Sequence, residues 1–176
     1  MKKKISRKTT LTELAAIVCS TLKDHGIEAI LTGGSAVTVY SQNEYESGDL
    51  DFITHAKEKE LSKVLSTIGF KKSGKSFNHK DTEYFLEFPG SVIQIGDLTI
   101  HKWNRKKTPF GTIFILTPTN CVMDRLAAFY HWNDKQSLDQ ALMVAKKNKI
   151  DLKDIEKWSK QEGELEKFKE FKNQLN

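Results

Sequence analysis

The 176 residues carry 28 Lys and Arg against 23 Asp and Glu, a net charge of +5, and 38% of them are hydrophobic. That suffices for one ordinary domain, or a small domain with a helical appendage, around a sizeable core. No apolar run approaches the ~18 to 20 residues of a membrane span, and the basic start from Met1 to Lys8 leads into an amphipathic segment rather than a signal-peptide core, so the expected address is the cytoplasm.

From Leu11 the apolar positions Leu14, Ala15, Val18 and Leu22 recur at helical spacing, with Thr10 as N-cap and Gly26 as the stop. Residues 27–32 read as a buried strand, Gly33-Gly34 as a tight turn and residues 35–40 as the opening of a second helix. Residues 49–54 alternate, which puts Leu50 and Phe52 on one face of a strand and Asp49 and Asp51 on the other. Leu61, Val64, Leu65 and Ile68 mark another amphipathic helix, closed by Gly69. The Lys-, Ser- and Gly-rich residues 71–80 read as an exposed connection. Strands are expected over 82–88, 92–95, 98–103 and 112–116, separated by Pro89-Gly90, Gly96-Asp97 and a loop over 105–111. Beyond Pro118 the pattern is helical, over 120–132, 135–147, 152–162 and 164–174. The order implies an α+β, mixed α/β class, with a core over residues 1–116 and a C-terminal helical module over 117–176. Cys19 and Cys121 lie within helical patterns and lack a C-x-x-C spacing, so both read as buried thiols.

The chemistry concentrates between Gly33 and Asp51. A glycine pair between strand and helix lets the backbone turn sharply and approach a ligand. The free N–H groups of the next helix, with the Ser35 hydroxyl beside them, suit an anionic phosphate. Standing alone, this element is better explained as a structural turn. Asp49 and Asp51, at i and i+2 of one strand, share a face at roughly 6 to 7 Å along the chain. Two such carboxylates repel unless a cation sits between them, and hard oxygen ligands point to Mg²⁺ or Mn²⁺. The plain alternative is the solvent face of an edge strand. Glu87 is a lone acid in Tyr84-Phe85-Leu86-Glu87-Phe88, costly if buried unpaired, and is the candidate for a third carboxylate ahead of Asp81, Glu83 and Asp97.

Gly-Gly-Ser, a short helix, then Ser47-Gly48-Asp49-Leu50-Asp51-Phe52 resembles the polymerase-β-like nucleotidyltransferase signature, G-[GS]-x(9 to 15)-[ST]-x-D-x-D. The match runs over residues 31–53. The resemblance implies a small mixed sheet flanked by helices and a nucleoside triphosphate bound at Gly33, Gly34, Ser35 and Ser47. It also implies Mg²⁺ held by Asp49, Asp51 and Glu87, with Glu87 as general base although an aspartate is more usual there. The implied reaction is transfer of a nucleoside monophosphate to a hydroxyl or phosphate acceptor on RNA, protein or a small molecule. A catalytically inactive nucleotide- or RNA-binding module of the same fold is the alternative. Residues 116–163, with Glu87-Phe88-Pro89, are similar to small bacterial nucleotidyltransferase-like proteins akin to the AbiEii-type toxin, which implies a toxin–antitoxin context and a protein partner. By that likeness Arg125 reaches a phosphate and Asp134 closes the site. From the residues alone Arg125 pairs with Asp124, Asp134 caps the next helix, and His131 and Trp132 pack at a helix end.

His79 precedes the Glu87 strand and is a candidate substrate contact. A P-loop is absent, and the histidines lack metal-ligand spacing. Cations cluster at Lys2, Lys3, Lys4, Arg7 and Lys8, at Lys71, Lys72, Lys75 and Lys80, and at Lys102, Arg105, Lys106 and Lys107. These suit polyanions or simply solvate loops.

Overall fold

A computed structural model describes residues 4–175; Lys2 and Lys3 of the basic start lie outside the described residues. The elements in chain order are α1 (Leu11–Asp24), β1 (Ile30–Thr32), α2 (Gly33–Tyr40), β2 (Asp49–Ile53), α3 (Glu58–Ser66), β3 (Lys71–Ser73), β4 (Ser76–Asn78), β5 (Phe85–Gly90), β6 (Ile93–Ile95), β7 (Leu98–Ile100), β8 (Asn104–Thr108), β9 (Gly111–Ile115), α4 (Pro118–Trp132), α5 (Lys135–Lys147), α6 (Leu152–Gln161) and α7 (Leu165–Leu175). The expected mixed α/β class holds. No helix is long and apolar enough to cross a membrane among the described residues.

Seven strands form one mixed sheet in the order β3-β4-β5-β2-β1-β9-β8, and β6 and β7 pair separately. β1 runs antiparallel to β2 and parallel to β9, while β2 and β5 are parallel. This topology brings the start of β2, the start of β5 and the start of α2 to one rim of the sheet. Leu50, Phe52 and Leu86 are fully buried, and the alternate residues of β2 turn the other way. The core also takes Leu14, Val18 and Leu22 from α1 and Leu61 and Leu65 from α3. Contact between α1 and β9 is close: a Cβ on Gly111 would lie 2.1 Å from Ser20 Oγ and 2.9 Å from the Ala16 carbonyl.

Local signals place the helix ends. Thr10 and Glu13 form a capping box, with the Thr10 hydroxyl accepting from the Glu13 amide at 3.3 Å and Glu13 Oε2 accepting from the Thr10 amide at 3.0 Å. Thr117 caps α4, accepting from the Asn120 amide at 3.1 Å, with Pro118 in the first turn. Helices α4 to α7 pack on one another, and α4 and α5 also pack on α2. Both cysteines are fully buried, and burial pushes the Cys19 thiol up to about 12.

Four expectations need correction. The stretch expected as an exposed connection over 71–80 holds the β3–β4 hairpin, turned at Gly74, and buries Phe77 against the sheet while the Lys72 ammonium lies 5.0 Å from its ring centre. One aromatic anchor is enough to dock a strand whose other side chains are polar. The loop expected over 105–111 is mostly β8, the terminal strand of the sheet among the described residues, whose exposed Arg105, Lys106 and Lys107 suit an uncovered edge. Pro89-Gly90, expected as a break, lies inside β5. The pairing with β4 extends only to Ser76 opposite Glu87, and on the other side the register with β2 shifts between Asp51–Glu87 and Ile53–Gly90, so Pro89 falls at an irregularity of the ladder, where a missing amide is tolerated. Trp132 is 82% exposed and does not pack at the end of α4.

Candidate functional site

Asp49 and Asp51 share the half-buried face of β2, and the parallel register sets Glu87 of β5 directly beside Asp51. One carboxylate oxygen from each of the three lies within 4.8 Å of the others. Among the described residues this is the only such group of His, Cys, Asp or Glu. Burial raises the Asp51 carboxyl from 3.8 to about 6, and the neighbouring charges of Asp49 and then Glu87 push in the same direction. Three hard oxygen donors crowded on a half-buried face fit a divalent cation of the Mg²⁺ or Mn²⁺ type, because such an ion removes the repulsion that disfavours their charged forms.

The turn from β1 into α2 is built against this group. Gly33 sits at φ +61°, and a Cβ there would lie 2.9 Å from Asp51 Oδ2. Only a residue without a side chain allows both the left-handed backbone and this approach. Thr32, the N-cap of α2, makes no side-chain bond to the helix, since its hydroxyl donates instead to the Asp51 carbonyl at 3.3 Å. The first-turn amides of α2 therefore lack a side-chain cap, and the positive end of the helix dipole lies against the carboxylates.

Ser35 is placed differently from Gly33 and Gly34. Its hydroxyl is buried, donates to the Thr32 carbonyl at 2.8 Å and accepts from the Asp51 amide at 3.4 Å, so it joins β1, α2 and β2. Ser47 is also buried; its hydroxyl donates to Asp49 Oδ1 at 2.9 Å and fixes that carboxylate. A cleft of about 1020 Å³ lies at the approach to β2 and β5, with Ser47, Gly48 and Phe85 in its wall together with Arg7, Lys8 and Lys80, and none of the three carboxylates lines it. Phe85 is the cross-strand partner of Asp49.

An antigenic nucleotidyltransferase-like protein from Paracoccidioides brasiliensis superposes with a TM-score of 0.58 at 12% identity, over 80% of this chain and 77% of that one. The chain has the nucleotidyltransferase fold. Two structures of ANT(2'')-Ia, one in complex with adenylyl-2''-tobramycin and one in solution, align at 9% and 10% identity. They cover 76% and 77% of this chain and 86% and 89% of theirs, with TM-scores of 0.48 and 0.41. No family profile and no curated protein matches the chain.

Within the nucleotidyltransferase fold, the remaining sequence candidates lie as follows. Arg125 on α4 is largely buried: its Nε donates to Asp124 Oδ2 at 2.9 Å, Nη2 donates to the same oxygen, and Nη1 reaches Gln140 Oε1 at 3.4 Å. It lies near enough to Asp51 to oppose the rise in that carboxyl's pKa. Asp134 caps α5, accepting from the Gln136 amide at 3.0 Å and the Ser137 hydroxyl at 2.6 Å; the Ser137 bond holds its carboxyl below the usual range. The His79 ring lies 5.2 Å from that of Phe70, and its Nδ1 accepts from the Asp81 amide at 3.1 Å. His131 lies 3.5 Å from Glu162. None of these four side chains hydrogen-bonds the three carboxylates among the described residues.

Other residues that shape the site carry no sequence signal. Thr38 accepts from the Ser47 amide at 3.0 Å and donates to the Gly34 carbonyl at 3.2 Å, tying the Asp49 approach to α2. Tyr45 packs on Gly34, where a Cβ would lie 3.3 Å from its ring. A helix spacing from Gly34 to Thr38 is visible in the sequence, but the return of Ser47 to it is not.

Proposed function

We propose that this chain is a nucleotidyltransferase. An acceptor hydroxyl or phosphate oxygen attacks the α-phosphorus of a nucleoside triphosphate, the new P–O bond forms in line with the bond that breaks, and pyrophosphate leaves. The observation that carries this reading is the meeting of the Asp49, Asp51 and Glu87 carboxylates beside the N-terminus of α2.

Asp49, Asp51 and Glu87 would hold Mg²⁺ or Mn²⁺, which when bound supplies charge neutralisation on the phosphates and the developing oxyanions. The chain's own groups divide the remaining work. The amides at the start of α2, reached across Gly33 and Gly34, donate to phosphate oxygens. Ser35 and Ser47 act through their neighbours, Ser35 by fixing the β1–α2–β2 junction and Ser47 by orienting Asp49. Glu87, on the strand next to Asp51, accepts the acceptor's proton. Arg125 adds positive potential from α4 while held by Asp124 and Gln140. Positioning and electrostatics of this kind account for most catalysis in phosphoryl chemistry. The acceptor class, RNA, protein or small molecule, and a toxin–antitoxin role with a protein partner belong to the same proposal.

Incubation with each α-labelled nucleoside triphosphate, Mg²⁺ and a cell extract is expected to yield one labelled acceptor and free pyrophosphate. Asp51→Asn is expected to abolish labelling while the circular-dichroism spectrum stays unchanged. Full labelling by Asp51→Asn would falsify the proposal. Metal-dependent triphosphate binding without transfer to any acceptor would instead leave a nucleotide-binding module. Co-expression with products of adjacent genes, read as growth arrest and its relief, tests the toxin–antitoxin part.

A further inference from the structure

The basic edge of the large sheet lies outside the carboxylate site. From Leu98 to Met123 there is no acidic residue, while Lys102, Arg105, Lys106 and Lys107 all fall in that stretch. All four are exposed. Among the described residues no carboxylate pairs with any of them, whereas six other Lys and Arg side chains do have carboxylate partners. Three of the four sit on β8, the terminal strand of the sheet, whose outer edge has no strand neighbour among the described residues.

Strand geometry then arranges the charges. Arg105 stands opposite Phe114 and Lys107 opposite Thr112, so both project from one face, while Lys106, opposite Ile113, projects from the other. Arg105 and Lys107 are roughly 6.8 Å apart along the strand, comparable with the spacing of successive phosphates on a nucleic-acid strand. The Arg105 guanidinium lies 5.6 Å from the Phe114 ring centre, and the Lys23 ammonium lies 5.5 Å from the same ring. The ring thus limits the freedom of Arg105 and lowers the entropy lost when it binds an anion. Lys23 is already paired with Glu28 at 3.0 Å and adds little net charge.

We propose that the β8 edge is a sequence-independent contact surface for the phosphate backbone of nucleic acid. Its charge has no internal partner, its spacing repeats, and it offers cations without a base-reading element, which is the pattern of backbone positioning rather than sequence readout. Cationic residues on an edge strand also deter edge-to-edge association, and the test separates the two roles.

The probe is a short fluorescein-labelled single-stranded RNA, titrated with the full chain across a NaCl series, without nucleotide or divalent ion, and read by anisotropy. The R105Q/K106Q/K107Q variant is expected to bind on the order of tenfold more weakly and to flatten the log–log salt slope by about 2, from ~0.7 per cation removed. A second RNA of different sequence is expected to give the same values. K106R/K107R, which keeps both charges, is expected to retain the wild-type slope, as is K71Q/K72Q/K75Q at the opposite edge. An unchanged slope in R105Q/K106Q/K107Q overturns the proposal, and so does an equal loss in the β3-edge variant. Aggregation of R105Q/K106Q/K107Q on gel filtration with unchanged RNA affinity assigns the cations to edge protection and also overturns it. Tighter binding to phosphatidylserine vesicles than to RNA at the same ionic strength, lost in that variant, overturns it in favour of a lipid surface. Because the assay contains no nucleotide or divalent ion, its outcome is independent of whether the chain transfers nucleotides.

Discussion

Asp51 is the residue at which chemistry and stability pull in opposite directions. Its carboxyl is raised to about 6 by burial and by Asp49 and Glu87, so the folded chain binds this proton more tightly than the unfolded chain does. The contribution to metal-free stability is therefore fully present below 3.8 and is lost as pH rises through about 6. Asp51→Asn removes the charge at nearly constant shape. In metal-free buffer the variant is expected to melt above the wild type at about pH 8, with the difference closing as pH falls below about 5. Thermal denaturation of both chains at several pH values checks this, and a variant less stable than wild type at every pH counts against it. At this scale the sequence was informative about one strand and silent about the meeting of strands. Asp49 and Asp51 are legible as a pair because i and i+2 share a face by geometry alone. Glu87 stands out only as an acid among apolar residues, and nothing local states that a parallel register places it beside Asp51. The inward turn of the Ser35 hydroxyl likewise depends on β2, which is remote in sequence.

The turn from β1 to α2 shows why an element, rather than a residue, makes the site. Gly33 must hold a left-handed backbone at the same point where it meets the Asp51 carboxylate. Gly33→Ala adds backbone strain and a contact with Asp51 Oδ2, at an expected cost of about 1 to 3 kcal/mol in stability. Because the contact is with a proposed metal ligand, nucleotide transfer should fall far more than the melting temperature suggests. Gly74→Ala, at another positive-φ turn with open space around it, is the control: it shares the backbone strain but should leave transfer unchanged. Equal losses of transfer in the two variants would show that Gly33 matters only for folding. Helices were legible as elements because their caps and stripes are local, as at Thr10 and Thr117. Short strands were less so. In β3–β4 only Phe77 is buried, and β8 is an edge strand without apolar alternation, so neither satisfies the period-2 pattern by which a half-buried strand declares itself.

At the scale of the whole molecule, the sheet holds like charges together at one rim, and the rest of the fold resists their separation. Buried Leu50, Phe52 and Leu86 lock β2 and β5 into register, and Thr38 and Ser47 clamp the approach to Asp49. The carboxylates cannot relax apart without unpacking that core. A divalent ion that binds only the folded chain should therefore raise its stability by mass action. Protonated Asp51 is a poor ligand, so proton and ion compete for the same oxygen. The rise in melting temperature on adding Mg²⁺ or Mn²⁺ should be large at about pH 8 and should shrink as pH falls through about 6, where Asp51 takes up its proton. Asp51→Asn should show little rise at either pH, and the R105Q/K106Q/K107Q variant should respond as the wild type does, since β8 lies three strands from β2. Differential scanning calorimetry with and without the ion measures all three chains. An ion-dependent rise of equal size at both pH values, or one that survives in Asp51→Asn, would mean that the ion binds elsewhere and that the rim is held together without it.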